Sequence, residues 1–313
     1  MFPITDDQKA LVDAVRDFAE QRVAPHALDW DAEKHFPVDV LAEAGELGLG
    51  GIYVGEEHGG TGLERTDAIL IFEELAKADP AFAAYISIHN MVAWMIDSFG
   101  SDEQRARWIP DLVGMEHLAS YCLTEPGAGS DAAAVRTSAK KVDGGWLVTG
   151  QKVWTSLAQY CQWGLATVRT DPDAPKHAGV TMMAIDMKAP GVTVNPLKGL
   201  TGNAHFNEVF FDDVFVPDAD VIGDVNKGWL VARATLGNER LSIGGGSGAQ
   251  SGFSADDLIA LLDAAPPEQA AGLRDRAGAV IAEPWVSVVC ARAGPAPATT
   301  TAPSAAVATP VKV

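Results

Sequence analysis

The stretch that decides the fold runs from Tyr121 to Asp131 and reads YCLTEPGAGSD. It joins a segment typical of a strand end to a turn rich in Gly and Pro. Because glycine has no Cβ, Gly127 and Gly129 allow a flat ligand to approach the backbone. The hydroxyl and backbone groups of the stretch can bond the polar edge of a ring. An ordinary Gly/Pro turn has the same composition, so both interpretations stay open.

A second informative stretch, Gly150 to Ser156 (GQKVWTS), follows further along the chain. It places the indole of Trp154 beside the hydroxyls of Thr155 and Ser156. A tryptophan in such a place is by default more often part of a core than the cover of a cofactor.

The residues before these stretches predict helices. Thr5 followed by Gln8 is typical of a capping box, and the apolar residues after it fall at helical spacing. Further helices are predicted over Asp67 to Ala78, Ala81 to Phe99 and Asp102 to Leu112, with Glu73-Glu74 on a solvated face. We therefore predict an N-terminal helical domain over residues 1–118.

From residue 119 onward, short segments rich in Val, Thr, Trp and Phe, broken by Gly, Pro, Asn and Asp, predict strands. Asp143-Gly144-Gly145 and Asp212-Asp213 are predicted to lie in turns. The predicted strands are Ser138 to Val142, Trp146 to Thr149, Trp163 to Arg169, Val180 to Asp186, and Glu208 to Val216. This region is predicted to be a middle β domain over residues 119–225.

A helical pattern of apolar residues begins again at Gly228 and predicts the start of a C-terminal helical domain over residues 226–283. Helices are predicted from Gly228 to Leu241, Ser254 to Ala264, and Glu268 to Ala282. Residues 284–313 are rich in Ala, Pro and Thr without periodicity, which predicts a disordered tail. The fold class is therefore predicted to be α+β, with an incomplete C-terminal helical bundle.

The composition excludes several classes of partner. A net charge of −19 without a basic cluster argues against nucleic acid. No apolar run reaches the roughly 20 residues that span a bilayer, and no secretory signal is evident, so we expect no integral membrane segment and a cytoplasmic location. Cys122, Cys161 and Cys290 match no metal-ligand spacing and are predicted to be packing residues, so no metal is expected.

Together and in this order, the two stretches resemble the acyl-CoA dehydrogenase family. The resemblance extends over Glu56 to Leu63 (EEHGGTGL), Phe211 to Pro217 (FDDVFVP) and Gly237 to Leu241 (GNERL). It covers about residues 1–283, and its N-terminal half is most similar to the isobutyryl-CoA dehydrogenases. Members of the family continue with further C-terminal helices, so the resemblance implies a C-terminally truncated chain, with the abrupt tail explained by a shifted reading frame.

The resemblance also implies FAD as the cofactor and a set of site residues. Thr124 is expected at the pyrimidine edge of the flavin, Trp154 over its face, and Ser156 where the family often has a Thr that bonds N5. Ser130 is expected to face both the flavin and the CoA chain, and Arg240 to help hold the acyl-CoA. The implied flavin-binding residues are Tyr121, Leu123, Thr124, Gly129, Ser130, Trp154, Thr155 and Ser156.

The activity implied is α,β-dehydrogenation of a short or branched acyl-CoA thioester by a homo-oligomer that passes electrons to an electron-transferring flavoprotein. Glu239 of the Glu239-Arg240 pair is predicted to be the catalytic base; the alternative is a helix-surface Glu paired with a basic neighbour. Two further alternatives stay open. One is a flavin-dependent monooxygenase or nitroalkane oxidase of the same fold, and the other is a truncated, catalytically inactive remnant.

Overall fold

The computed structural model describes residues 4–245 together with residues 260 and 262, and from 237 to 245 it describes the backbone alone. The chain divides into two compact units, Met1–Ser254 and Ala255–Val313. The first unit consists of helices and a β sheet. Apart from residues 260 and 262, which are helical, the predicted helices Ser254 to Ala264 and Glu268 to Ala282 and the predicted tail lie outside the described residues.

Helices make up the part of the unit that precedes the sheet. They are α1 (Asp6–Phe18), which continues as a π-helical turn over Ala19–Val23, α2 (Ala27–Glu33), α3 (Val38–Glu46), α4 (Arg65–Ala78), α5 (Pro80–Phe99) and α6 (Asp102–Val113). The predicted capping box at Thr5 and Gln8 is present, and it fixes the start of α1. The helix then buries Val12, Val15 and Phe18 along one stripe.

Helix α5 lies at the centre of the helical layer and carries two buried polar side chains. His89 bonds the carbonyl of Leu112 at 2.8 Å and accepts from the amide of Ala119 at 3.3 Å. Asn90 accepts from the amide of Ile52 at 2.7 Å and donates to the carbonyl of Leu49 at 2.7 Å. Since buried backbone groups need partners, these two residues attach the chain segments on either side of α5 to the helix.

One mixed sheet follows the helices. Its strands in the described residues are β1 (Ala119–Cys122), β2 (Ser138–Val142), β3 (Gly145–Ser156), β4 (Trp163–Arg169), β5 (Val180–Asp186), β6 (Val192–Leu197), β7 (Phe206–Pro217) and β8 (Val221–Ile222). They lie in the order β6-β7-β3-β2-β4-β5-β8, and β1 pairs with β4 in parallel. Helix α7 (Gly228–Gly245) follows.

Two apolar clusters connect helices and sheet. The first joins α1, α3, α4 and the first half of α5 to β3 and β7, and contains Phe82 and Phe211. The second joins α5, α6 and α7 to β1, β4 and β5, and contains Trp108, Leu165 and Val231. The sheet is therefore fixed against helices at its centre, where β1 and the end of β3 meet.

Two predictions about acidic residues are wrong. Asp213 does not lie in a turn: it is inside β7 with φ 48°, and Thr149 donates to its carboxylate at 2.6 Å. A bulge in the β3–β7 pairing requires this left-handed residue, and Asp tolerates the conformation. Glu74 is not solvated, because its side chain is 8% exposed and accepts from Arg16 and Lys77.

No helix within the described residues is long and apolar enough to cross a membrane. In the same part of the chain, no three His, Cys, Asp or Glu side chains come together as candidate metal ligands.

The burial of His89 predicts a pH-dependent stability. Burial lowers the pKa of His89 to about 4, and the hydrogen bond to Leu112 offsets only part of this effect. Below the ordinary histidine value of about 6.5 the unfolded chain takes up a proton that the folded chain does not, so stability falls as the pH falls from about 6.5 to about 4. The steepest slope is about 1.4 kcal/mol per pH unit.

Urea denaturation between pH 4 and 7.5 measures this slope in the wild type and in His89→Gln, whose amide can still donate to Leu112. We expect a flatter pH dependence for the variant in the acid range. The same slope in both proteins would show that His89 is not the group responsible.

Candidate functional site

The first motif stretch leaves the sheet at the end of β1 and folds into a tight turn. Glu125 and Ala128 exchange two backbone hydrogen bonds, each of 3.0 Å, which close the turn around Pro126. Gly127 and Gly129 face open space, because no heavy atom lies within 4 Å of where a Cβ would stand. The backbone at these glycines is therefore accessible, as a flat ligand requires.

The second motif stretch is the end of β3, and the structure brings it against the first. The amide of Val153 donates to the carbonyl of Thr124 at 2.9 Å. Residues predicted to share one site, Thr124 in the first stretch and Trp154 in the second, thus lie on adjoining segments of backbone.

A buried ion pair holds the two stretches together. The ammonium of Lys152, whose side chain is fully buried, donates to Glu125 at 2.8 Å, to the carbonyl of Leu123 at 3.1 Å and to that of Thr167 at 2.6 Å. All three of its donors are used. Burial lowers the pKa of Lys152, and the negative charge of Glu125 and its hydrogen bond oppose that effect.

The carboxylate of Glu125 is satisfied from the other side by backbone amides. Arg136 and Thr137 donate to it at 2.7 and 2.9 Å. Burial raises the pKa of Glu125, and the Lys152 charge and these hydrogen bonds outweigh it, so the pKa lies below its ordinary value. Lys152 and Glu125 both lie within the two motifs, but the sequence alone assigned no role to either residue. The signal that could have found them is the alternation along β3, which puts Lys152 on the same face as the buried Trp146 and Val148. A lysine is rarely buried on such a face without a carboxylate.

The indole of Trp154 points away from the core, unlike that of a default core tryptophan. Its backbone has φ 60°, at a register irregularity in the β3–β7 pairing between Lys152 and Thr155. Trp154 is 59% exposed, and its ring packs edge to face on Phe206, with ring centroids 5.8 Å apart. The irregular backbone therefore presents an aromatic face at the surface beside the first motif.

Three predicted site residues, Thr124, Ser130 and Ser156, form what we call the hydroxyl strip. Thr124 and Ser156 are half-buried and Ser130 is exposed. Their hydroxyl oxygens form no hydrogen bond with the part of the chain whose side chains are described. Each can thus still donate to or accept from a ligand.

Other predicted residues are placed differently. Thr155 is 1% exposed and its carbonyl accepts from the Asn207 side chain at 3.1 Å, so the residue offers almost no surface to a ligand. Tyr121 is half-buried, with its hydroxyl 3.5 Å from that of Thr167. Leu123 is half-buried, and its carbonyl accepts from Lys152.

Glu239 and Arg240 lie in the backbone of α7, and their side chains are outside what the structure describes. The helix is anchored at its start, where Gly228 packs so closely on β5 that a Cβ would stand 2.5 Å from the amide nitrogen of Met182. Ala232 and Thr235 are fully buried in the next turns. The anchored start sets the direction in which α7 carries the Glu-Arg pair.

The exposed groups at this site fit an isoalloxazine ring. Such a ring needs an aromatic or apolar contact on its face and hydrogen-bonding groups along its polar edge. Trp154 can supply the face, the hydroxyl strip can supply donors and acceptors, and the open glycines leave room for close approach. A layer of helices, a mixed sheet and exposed groups that fit a flavin at the two motifs are the features of a flavoprotein dehydrogenase.

Comparison with known proteins leads to the same class of protein. The model of the acyl-CoA dehydrogenase N-terminal domain matches residues 5–116, and that of the middle domain matches residues 120–214. The chain therefore belongs to the acyl-CoA dehydrogenase family.

Relatives and solved structures support this membership. The mitochondrial isobutyryl-CoA dehydrogenase of Dictyostelium discoideum is 42% identical over 79% of this chain and 60% of its own length. That of Bos taurus is 38% identical over 77% of this chain and 58% of its own length. The chain thus spans less than two thirds of these relatives.

Among solved structures, a glutaryl-coenzyme A dehydrogenase in complex with glutaryl-CoA is 26% identical with a TM-score of 0.83, over 93% of this chain and 76% of that one. The butyryl-CoA dehydrogenase of Megasphaera elsdenii is 26% identical with a TM-score of 0.77, over 94% and 78%.

We predict that Lys152→Met destabilises the protein by about 3–5 kcal/mol, because it leaves the Glu125 charge buried without its partner. The double variant Glu125→Gln/Lys152→Met should lose less than Lys152→Met alone, since no unpaired charge remains. Urea denaturation measures both values.

Lys141→Met is the matched control, because Lys141 pairs with Asp218 at the surface and both side chains are about half exposed. It should cost no more than about 1 kcal/mol. Equal losses for Lys152→Met and Lys141→Met would contradict a structural role for the buried pair.

Proposed function

We propose that this chain binds FAD at the hydroxyl strip and dehydrogenates an acyl-CoA thioester at its α and β carbons. The observation that supports this most is the combination of unbonded hydroxyls and an outward Trp154, held in place by the buried Lys152–Glu125 pair. An ordinary Gly/Pro turn has no need of such an arrangement.

The reaction removes the α proton of the thioester and the β hydride. FAD supplies the hydride acceptor when it is bound. The chain must supply a base close to the α carbon, donors for the thioester oxygen where negative charge develops, and a surface that fixes the ring.

In this proposal Thr124 bonds the pyrimidine edge of the ring, Trp154 covers its face and Ser156 bonds the N5 position. Ser130 is shared between ring and CoA chain. The open backbone at Gly129 and the half-buried Tyr121 and Leu123 complete the flavin side, and the buried Thr155 supports it from behind.

Glu239 is the proposed base and Arg240 helps to hold the acyl-CoA. Both follow the anchored start of α7 on the same helix. A helix that is fixed at its N-terminal end can hold a carboxylate at a defined position, which a base requires. The competing assignment is a Glu on the helix surface without a catalytic role.

The proposed substrate is a short, branched acyl-CoA, and the proposed electron acceptor is an electron-transferring flavoprotein. Support for the substrate class comes from the names of the two isobutyryl-CoA dehydrogenases with 42% and 38% identity. We propose a homo-oligomer for the assembled enzyme.

The visible spectrum of the purified protein is the first test, followed by anaerobic addition of isobutyryl-CoA and of butyryl-CoA as the straight-chain control. We expect a yellow protein that is bleached faster by the branched thioester. Oxygen consumption without a thioester would instead favour the monooxygenase or nitroalkane oxidase. A protein that stays colourless after added FAD would favour the inactive remnant.

We predict that Glu239→Gln keeps bound flavin and lowers the rate of anaerobic bleaching by about 10²- to 10⁴-fold, the usual contribution of a general base. Stopped-flow absorbance measures this rate. Glu46→Gln, at an exposed position of α3, is the control and should bleach like the wild type. An unchanged rate in Glu239→Gln would eliminate Glu239 as the base.

We also predict that Trp154→Ala weakens FAD binding by about 2- to 13-fold, which corresponds to the loss of one aromatic contact of about 0.5–1.5 kcal/mol. Trp154→Phe should retain most of the affinity. Flavin fluorescence titration measures both, and the exposed position of Trp154 leaves folding intact. Equal affinity in wild type and Trp154→Ala would remove Trp154 from the flavin face.

A further inference from the structure

A chain of buried polar groups lies directly behind Ser156. The hydroxyl of Ser120 on β1 is 2.5 Å from the carbonyl oxygen of Ser156 and 2.8 Å from the thiol sulfur of Cys161. The same sulfur is 3.5 Å from the hydroxyl of Tyr85 on α5. All three side chains are almost completely buried.

The chemistry of these groups sets the direction of the hydrogen bonds. A carbonyl oxygen only accepts, so the single hydrogen of the Ser120 hydroxyl goes to Ser156. The Ser120 oxygen is then free to accept from the Cys161 thiol, which lies 2.8 Å from it and 3.4 Å from its other acceptor, the carbonyl of Leu157. Burial raises the pKa of Cys161 to about 11 and that of Tyr85 well above its ordinary value, so the thiol and the phenol both keep their hydrogens at neutral pH.

The peptide that joins Ser156 to Leu157 is also held from its other end. The amide of Leu157 donates to the carbonyl of His205 at 2.7 Å. Leu157 has φ 50°, a left-handed conformation that is unfavourable for a leucine, and its side chain is buried. Such a backbone persists only where its surroundings hold it, and here both the carbonyl and the amide of one peptide are held.

We propose that Ser120 and Cys161 are positioning residues for Ser156. They fix the Ser156–Leu157 peptide so that the short serine side chain presents its unbonded hydroxyl to the flavin. A serine lacks the β-branch that restricts a threonine side chain, so the position of its oxygen depends more on the backbone. The flavin part of this inference rests on the proposed function, whereas the positioning of the peptide is a property of the chain itself.

The test compares Ser120→Ala and Cys161→Ala, which break the chain of hydrogen bonds, with Cys161→Ser, which keeps a donor and an acceptor at the same place. Cys122→Ala is the matched control. Cys122 lies on β1 and, like Cys161, has a fully buried thiol, but this thiol makes no hydrogen bond with Ser120 or the Ser156 carbonyl. Thermal unfolding of all four variants shows how much stability each loses by truncation alone.

Amide hydrogen exchange of Leu157 in the flavin-free full chain is the first readout. We expect exchange at least 10-fold faster in Ser120→Ala and Cys161→Ala, and exchange within about 3-fold of the wild type in Cys161→Ser and Cys122→Ala. Unchanged protection in Ser120→Ala and Cys161→Ala, or an equal increase in Cys122→Ala, would overturn the proposal.

The second readout is the flavin-loaded protein. Ser120→Ala and Cys161→Ala should shift the visible absorption band of bound FAD and slow thioester bleaching by about 10- to 100-fold, the upper value being the loss expected when a group is misplaced by about 1 Å. Cys161→Ser should restore both properties and Cys122→Ala should leave them unchanged. If Ser120→Ala and Cys161→Ala keep the wild-type absorption band and bleaching rate, Ser120 and Cys161 do not position Ser156 for the flavin.

If the wild type takes up no FAD, the proposed function fails while the positioning of the peptide is still decided by hydrogen exchange. Faster exchange of Leu157 in the two alanine variants at Ser120 and Cys161 then supports the positioning, and equal exchange overturns it.

Discussion

The ion pair of Lys152 and Glu125 is the interaction on which the site depends. Two charges are removed from water there, and the cost of their desolvation is offset only because every donor and nearly every acceptor position is used. The partners come from both motif stretches and from β4, through the Thr167 carbonyl. The pair therefore fixes where β3 ends and where the first motif turns, and an apolar replacement would fill the space without fixing that geometry.

The polar groups beneath the site surface and those on it differ in their hydrogen bonding. Beneath it, buried polar groups satisfy one another: Lys152 with Glu125, and Ser120 with the Ser156 carbonyl. Above it, the hydroxyls of Thr124, Ser130 and Ser156 have no partner among the described side chains and backbone, and Trp154 faces outward. The loss of conformational freedom needed to order these groups occurs during folding, so a ligand does not have to order them on binding, which is the physical meaning of preorganisation.

Local sequence signals predict much of the fold, since β4 and β5 are found at the predicted limits and α5 begins one residue before its prediction. These elements are apolar runs between turn residues, and their signal is local. Strand β6 gave no such signal, because Pro196 weakens the pattern and is tolerated at the edge of the sheet. The left-handed backbone of Trp154 and Asp213 depends on the pairing of β3 with β7, which no local pattern contains.

The same distinction applies to the site. The two motifs and their resemblance to a family predicted a shared site because the predicted residues lie in short contiguous stretches, and the structure joins the two stretches at Thr124 and Val153. The groups that hold the surface have partners far away in sequence: Lys152 with Glu125, Cys161 with Ser120 and Tyr85. From the sequence alone, Cys161 is predicted to be a small packing residue. Only its neighbours show that its thiol also takes part in hydrogen bonds, because a buried thiol can do both. The supporting groups therefore become visible only in the structure, and they determine how rigidly the predicted residues are held.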